Sequence, residues 1–378
     1  MLEIKKNNGI YIHIPFCRNK CDYCNFYSIP IDDAGIVESY VETLLKEIDY
    51  ISELHGKVEA DTVYFGGGTP SILKPGQAEK ILNHISNRFI LGANSEITLE
   101  MNPDDLLPEK LEGFTGAGIN RIVLGVQSLD IDMRNKIGRR GKTVSSSGFD
   151  LFFNHKGFTR CIDIIAGLPD QSGEQMLKDL ETVTAYRPEH ISLYLLSVDE
   201  GTPLGARFHP DERFENMQAD LWGRAMEFLA EKGYIHYEIS NYALPGFESK
   251  HNSKYWDFTP YFGLGAGAHS YVDGKRYSNR MQAAEYIRSG EFLYEYDTRD
   301  SDSIIVEFLM TSLRRMKGFS GEEFSAVTGK ALPEAIISKL DSLKNEGMIE
   351  INDGKYYLSK KGLYLADSII YQLAEDYL

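Results

Sequence analysis

Residues 9–24 read GIYIHIPFCRNKCDYC. The first half, Gly9–Phe16, is β-branched and aromatic and apolar on both faces, the mark of a strand buried in a parallel sheet. It runs straight into Cys17, Cys21 and Cys24, spaced C-x-x-x-C-x-x-C, so the three thiols sit on the loop that leaves the strand's C-terminal end. Five more runs of the same kind follow in the first 200 residues: Thr62–Phe65, Ile97–Met101, Arg121–Val126, Cys161–Ala166 and His190–Leu196. Helical spacing lies between them, most clearly over Ile36–Leu54, Pro75–Phe89 and Gly173–Ala185. Strand–helix alternation of this kind predicts an α/β fold with a parallel sheet and right-handed crossovers, either an open doubly wound sheet or a complete or partial barrel.

The rest of the chain divides by pattern. A long helix over Glu212–Lys232 is expected to stop at Gly233. Residues 1–240 then form the main domain, and residues 241–299 read as an aromatic, glycine-rich connecting region. Residues 300–378 read as a small separate domain. Helices over Ser303–Met316 and Leu332–Glu346 precede a hairpin, MIEINDGKYYLS, turned by Asp-Gly. That order resembles a winged helix. Its 337–350 stretch has no basic cluster, so an interaction or lid domain is expected rather than a DNA-binding one.

Composition narrows the function. The 378 residues are 42% hydrophobic and 25% charged, with Lys plus Arg 40 against Asp plus Glu 56, a net charge of −16. So acidic a surface argues against nucleic-acid binding, which needs a basic face for the phosphates. No apolar run approaches the ~20 residues that span a bilayer, and the first ten residues are too polar for a signal peptide. A cytoplasmic protein is expected, with peripheral membrane contact left open. Four cysteines in such a chain point to a metal or to catalysis rather than to disulfides.

Three thiolates on one tight loop can hold three irons of a [4Fe–4S] cluster and leave the fourth iron open for chemistry. A zinc site would want a fourth ligand at hand, and the nearest candidate, His13, precedes the loop. Cys161 lies inside an apolar strand and reads as a small buried hydrophobe. The other strand ends carry polar residues as well. Strand two runs into GGGTP (Gly66–Pro70), where a backbone without side chains can approach a ligand closely. Strand three ends in Glu100, strand four in Gln127, and strand five carries Asp163. Polar residues gathered at one edge of such a sheet read as a site. Arg139 belongs to a basic patch (Arg134, Lys136, Arg139, Arg140, Lys142) that could meet a carboxylate.

The cysteine loop resembles that of the radical S-adenosylmethionine (SAM) superfamily, which implies a partial (β/α)6 barrel. In that superfamily the amino and carboxylate groups of SAM chelate the open iron, and one electron from the cluster cleaves a carbon–sulfur bond to give a 5′-deoxyadenosyl radical. YIHIPFC, YFGGGTPS, LEMNP, LGVQS, DIIAGLP and the C-terminal domain narrow the resemblance to the HemN-like, coproporphyrinogen dehydrogenase subfamily over nearly the whole chain. It implies that Tyr11, Gly67 and Glu100 hold cluster-bound SAM, and that Tyr23, Gly68, Thr69, Gln127, Arg139 and Asp163 line a second SAM pocket.

Three departures from the dehydrogenases matter. Phe26 stands where they carry a fourth cysteine, only ten residues precede Tyr11, and His251–Trp256 reads HNSKYW. That last motif is similar to the HNxxYW of the HemW-type haem chaperones. The resemblance implies a protein that binds a [4Fe–4S] cluster, SAM and haem and passes haem to acceptor proteins, with an electron donor for the cluster. His251 is the haem-ligand candidate, and Tyr255 and Trp256 the rings to pack on the porphyrin. His269 is expected near the adenosyl end of SAM. The rival expectations are oxygen-independent oxidative decarboxylation of coproporphyrinogen III and a radical-SAM reaction on another substrate.

Overall fold

The computed structural model describes residues 7–31, 34–280 and 282–378, and at Ala34 the backbone only. Six parallel strands stand side by side in chain order: β1 (Asn8–Ile14), β2 (Glu59–Gly67), β3 (Ile90–Met101), β4 (Arg121–Gln127), β5 (Thr159–Ala166) and β6 (His190–Leu195). All six expected runs are therefore strands, and their sequential order is that of a partial (β/α)6 barrel. The helices over the outer face include α1 (Ala34–His55), α2 (Pro75–Arg88) and α3 (Pro108–Gly116). They continue with α4 (Ile131–Lys136), α5 (Ser146–Asn154), α6 (Gly173–Ala185) and α7 (Glu212–Glu231). Pro at the first position opens α2 and α3, and Ser172 with Gln175 closes a capping box on α6. Tyr40, Val41, Leu44 and Ile48 turn the buried stripe of α1 onto Ile10, Ile12 and Phe262 in the core.

The connecting region expected over 241–299 is instead part of the sheet. Beyond β6 lie two antiparallel strands, β7 (Ile235–Glu238) and β8 (Asn241–Ala243), with β8 next to β6. On the other side β9 (Tyr261–Leu264) pairs in parallel with β1, and β10 (His269–Val272), β11 (Lys275–Asn279) and β12 (Tyr294–Tyr296) extend the edge. These strands are short and aromatic, and their pairing partner for β9 lies some 250 residues earlier, so no local alternation announces them. HNSKYW lies on a helix, α8 (Lys250–Asp257), capped by Ser249.

One buried carboxylate ties this edge to the barrel. Glu47 on α1 is fully buried and accepts from Tyr286 Oη (2.6 Å), Tyr294 Oη (2.7 Å), Asn279 Nδ2 (3.0 Å) and the Gly265 amide (2.6 Å). Four donors replace the water that a buried carboxylate loses.

After α9 (Ala283–Ser289), residues 300–378 form the expected small domain. Its α10 (Ser301–Ser312), α11 (Gly321–Thr328) and α12 (Glu334–Asn345) precede a hairpin, Ile349–Asn352 with Lys355–Leu358. Asp353 and Gly354 turn it at φ 49° and 71°, as a two-residue Asp-Gly turn requires.

Candidate functional site

The C-terminal ends of β1–β6 surround a cavity of about 330 Å³. The cysteine loop forms one wall and is pinned from several sides. Phe16–Cys17 pairs with Ile29–Pro30. Arg18 makes a two-pronged bond to Asp105 (2.8 and 2.7 Å), a carboxylate that Ser71 and Lys110 also bond, at 2.8 and 2.7 Å. Asp22 takes the Ile137 carbonyl on its amide and pairs with Arg207 at 2.7 Å. These anchors fix the course of the loop, while among the described residues no three metal-ligating side chains are gathered closely enough to hold an ion, so the thiols would still have to converge on a metal.

Cys17, Cys21, Cys24, Tyr23, Gly67, Gly68, Thr69, Glu100, Gln127, Arg139 and Asp163 all line this cavity. Residues far apart in the chain thus meet as the sequence implied. Glu100 accepts from Tyr64 Oη at 2.7 Å. Its position at the strand end, screened from bulk water, pushes its carboxyl up to about 8. Desolvation pushes Asp163 up to about 6. Arg139 reaches Cys21 Sγ with Nη1 (3.5 Å) and the Gly125 carbonyl with Nη2 (2.9 Å). Asp163 Oδ1 and Arg139 Nε are buried atoms without a partner. Asp163 and Arg139 thus bring opposite charges to one cavity, the pairing that a ligand with both an ammonium and a carboxylate group would match.

Gln127 ends β4 at φ 67°, in the left-handed region, which costs a non-glycine residue roughly 1–2 kcal/mol. Strain of this kind gathers at sites. The basic patch does not survive as a patch. Arg134 is buried and spends its guanidinium on the carbonyls of Val126, Gly141 and Lys142, Lys136 turns to Pro169 and Asp170, and only Arg139 faces the cavity.

Three expectations need correction, and the reading of GGGTP needs an addition. Tyr11 does not line the cavity: its hydroxyl bonds His13 Nδ1 at 3.0 Å and its ring stacks on Tyr64 beneath the site. His269 is exposed on β10, outside the cavity lining. The glycines of GGGTP answer first to the protein rather than to a ligand. Gly67 has φ 108°, and a Cβ there would sit 2.5 Å from the His13 ring, while one on Gly68 would sit 2.7 Å from the Phe16 carbonyl. The Gly68 and Thr69 amides donate to Ile14 and Phe16, stitching this turn to the segment that carries Cys17. Gly68→Val is therefore expected to displace Phe16 and Cys17, so that cluster loading and SAM binding fall together. Calorimetry beside iron and sulfide analysis of reconstituted protein checks this.

The third correction concerns His251. Its side chain is not open to a large ligand but 1% exposed beneath the barrel. Nδ1 is bonded to Thr62 Oγ1 (2.8 Å) and Nε2 to Tyr255 Oη (3.0 Å). Burial lowers its pKa to about 3, so it stays neutral, and neither nitrogen is free for a haem iron in this arrangement.

The sequence reading missed the sixth strand's contribution. Tyr194, Leu195 and Leu196 at the end of β6, with Ser197 and Asp199 after it, complete the wall. The signal was present in HISLYLL, whose C-terminal end falls on the same edge as the other five. Phe26 and Leu195 stand at the mouth, 64% and 37% exposed. Cys161 is fully buried, and burial raises its thiol to about 12, so it is a packing residue as expected.

An open parallel sheet of this order, with a three-cysteine loop after the first strand, defines a radical SAM protein, and residues 11–183 match the Radical SAM superfamily. Residues 300–365 match the HemN C-terminal domain. The chain is similar to the heme chaperone HemW of Lactococcus lactis, 32% identical with 99% of each chain covered. It is 34% identical to that of Bacillus subtilis, over 95% of this chain and 97% of the relative. Among solved structures, coproporphyrinogen III oxidase (HemN) of Escherichia coli shares the fold. Its TM-score is 0.83 at 20% identity, over 99% of this chain and 91% of that one. The chain belongs to the radical SAM superfamily and, within it, to the heme chaperone HemW family. That family implies SAM and an iron–sulfur cluster. The residue types fit such a pair of ligands, because three thiols, two carboxyl groups and a guanidinium line one cavity, although among the described residues the thiols are not gathered into a metal site.

Proposed function

We propose that this chain is a haem chaperone that carries a [4Fe–4S] cluster and SAM, binds haem at the cavity mouth and hands it to haem-accepting proteins. The observation that carries the reading is the match along essentially the full length to relatives named for that role. Cys17, Cys21 and Cys24 would hold the cluster, which when bound supplies an electron to the sulfonium of SAM. Arg139, with Nη1 3.5 Å from Cys21 Sγ, places positive charge beside the loop that would hold the cluster. Glu100 and Asp163 offer negative charge to the amino group of SAM and Arg139 positive charge to its carboxylate. Tyr23, Gly67, Gly68, Thr69 and Gln127 shape the remaining walls.

Haem would cover Phe26 and Leu195, the exposed apolar side chains at the mouth, with Lys20 beside them for a propionate. An electron donor would approach the cluster from the same side. No helix among the described residues is long and apolar enough to cross a membrane.

The second reading is oxidative decarboxylation of coproporphyrinogen III. It is favoured by one observation, that Tyr23, Gln127, Arg139 and Asp163 all face the cavity. One anaerobic experiment on reconstituted protein separates the two. Haem titration followed in the Soret band is expected to saturate near one haem per chain, and coproporphyrinogen III offered with SAM and reductant is expected to remain unconverted. Steady porphyrinogen turnover without saturable haem binding would replace the first reading by the second.

A further inference from the structure

The floor of the barrel is a second polar assembly, and α8 builds it. Glu96 on β3 receives the first turn of α8. It accepts from the His251 amide (3.0 Å), the Lys250 amide (3.2 Å) and Ser249 Oγ (3.4 Å), and it lies 3.7 Å from Arg121 on β4. A carboxylate at a helix N-terminus satisfies amides that the helix itself cannot. Lys254, buried on the next turn, bonds the Asn7 carbonyl and the Asp61 carboxylate, each at 2.7 Å. The helix is thereby fastened to the starts of three neighbouring strands.

His251 occupies the centre of this floor. Thr62 and Tyr255 hold its two nitrogens, and a Cβ on Gly9 would lie 3.2 Å from its Cε1, so β1 closes on the ring without a gap. Above it lies the Tyr64 ring, stacked with centroids 5.0 Å apart at 28°. Thr62 and Tyr64 are two residues apart on β2 and so project to one face. The Tyr64 hydroxyl, one ring further up, donates to Glu100 Oε1 at 2.7 Å. A continuous stack thus runs from α8 through His251 and Tyr64 to the carboxylate in the cavity.

We propose that His251 is a positioning residue of the SAM site: by fixing the Tyr64 ring it fixes the hydroxyl that aims the Glu100 carboxylate at the ligand's amino group. The proposal rests on the reading of this cavity as the SAM site. Its physical basis is preorganisation. A carboxylate held by a hydroxyl whose ring cannot shift meets its ligand without first being ordered. Truncating His251 leaves a void under Tyr64 and strips Thr62 and Tyr255 of a partner. Tyr64 can then settle downward and its bond to Glu100 loosens.

The test uses reconstituted holoprotein. His251→Ala is expected to weaken SAM binding by calorimetry roughly tenfold, the scale of losing an outer partner of a ligating group. The Soret maximum of bound haem should not move. His251→Gln, which can still bond both Thr62 and Tyr255, is expected to restore most of the affinity. Tyr64→Phe should cost about as much as His251→Ala, and the double variant little more than either, because both act through one contact. Where His251→Ala does not fold, His251→Phe takes its place in the same cycle, keeping a ring under Tyr64 while dropping both hydrogen bonds. Unchanged SAM affinity in His251→Ala (or in His251→Phe where that variant stands in for it), or full additivity with Tyr64→Phe, overturns the proposal, as does a displaced Soret band with SAM binding intact. Failure of the wild type to bind SAM at all would refute the reading of the cavity instead.

Discussion

Replacing any one of Cys17, Cys21 or Cys24 by Ala is expected to abolish the iron–sulfur charge-transfer absorbance of reconstituted protein, while Cys161→Ala keeps it. Each thiolate of a three-cysteine loop anchors one iron, and two anchors leave a second iron open to solvent and loss. The effect is all or none because the two nearest alternatives among the described residues are already committed. His13, the nearest imidazole in sequence, is spent on Tyr11 and on the Tyr27 carbonyl. Cys161 lies deep in the barrel with a thiol that burial keeps protonated. Iron and sulfide analysis with the absorbance spectrum reads the outcome. A Cys161 requirement, or a dispensable member of the triad, would show that the cluster had been placed on the wrong residues. SAM should fail to protect the triad variants in thermal melts, since its anchoring iron is gone.

Glu100→Gln carries the second large effect. Before SAM binds, the Glu100 carboxyl stays protonated up to about pH 8, because its enclosed position penalises the charge. An ammonium group placed beside it favours the charged form and pulls that value down. SAM binding at pH 7 should therefore release a proton. Affinity should rise up to ~10-fold per pH unit between about pH 6.5 and 8, then level off. Asp163, at about 6 before SAM binds, adds a shallower dependence below that range. The sign for the protein without SAM is opposite. An acid whose folded value is raised from 4.5 to about 8 contributes stability that is present below pH 4.5 and lost as pH rises through 8. The melting-temperature gain given by SAM should hence be larger at pH 8.5 than at pH 6.5. Glu100→Gln keeps the size of the side chain and an oxygen for Tyr64 but removes the charge. It is expected to cost about 2 kcal/mol, roughly 30-fold in affinity, and to flatten the dependence above pH 6.5. Calorimetry in buffers of different ionisation enthalpy counts the protons. A slope that survives in Glu100→Gln would assign the titration to another group.

The six buried strands and the metal loop are legible in local pattern, whereas the choice of a partial barrel over a doubly wound sheet came from the family resemblance. A buried parallel strand is apolar on both faces, so each of β1–β6 declared itself, while their order in the sheet is set by tertiary packing. The cysteine spacing is equally local. Polar residues at strand ends, Glu100, Gln127 and Asp163, could be placed on one edge as soon as the strands were known. What those residues face, and what lies under them, depends on packing between segments far apart in the chain. Gly68 is glycine because Phe16, fifty residues earlier, passes within 2.7 Å of where its Cβ would be. Tyr11 belongs beneath the cavity because His13 claims its hydroxyl. HNSKYW carries too little apolar periodicity to be read as a helix, and α8 forms because Glu96, on a strand 150 residues away, caps it and the barrel floor buries one side of it. A histidine in a polar motif looks open to solvent in the sequence. In the fold it is enclosed by Thr62, Tyr64 and Tyr255, because closing the bottom of a partial barrel needs a plug whose polar atoms the barrel itself can satisfy.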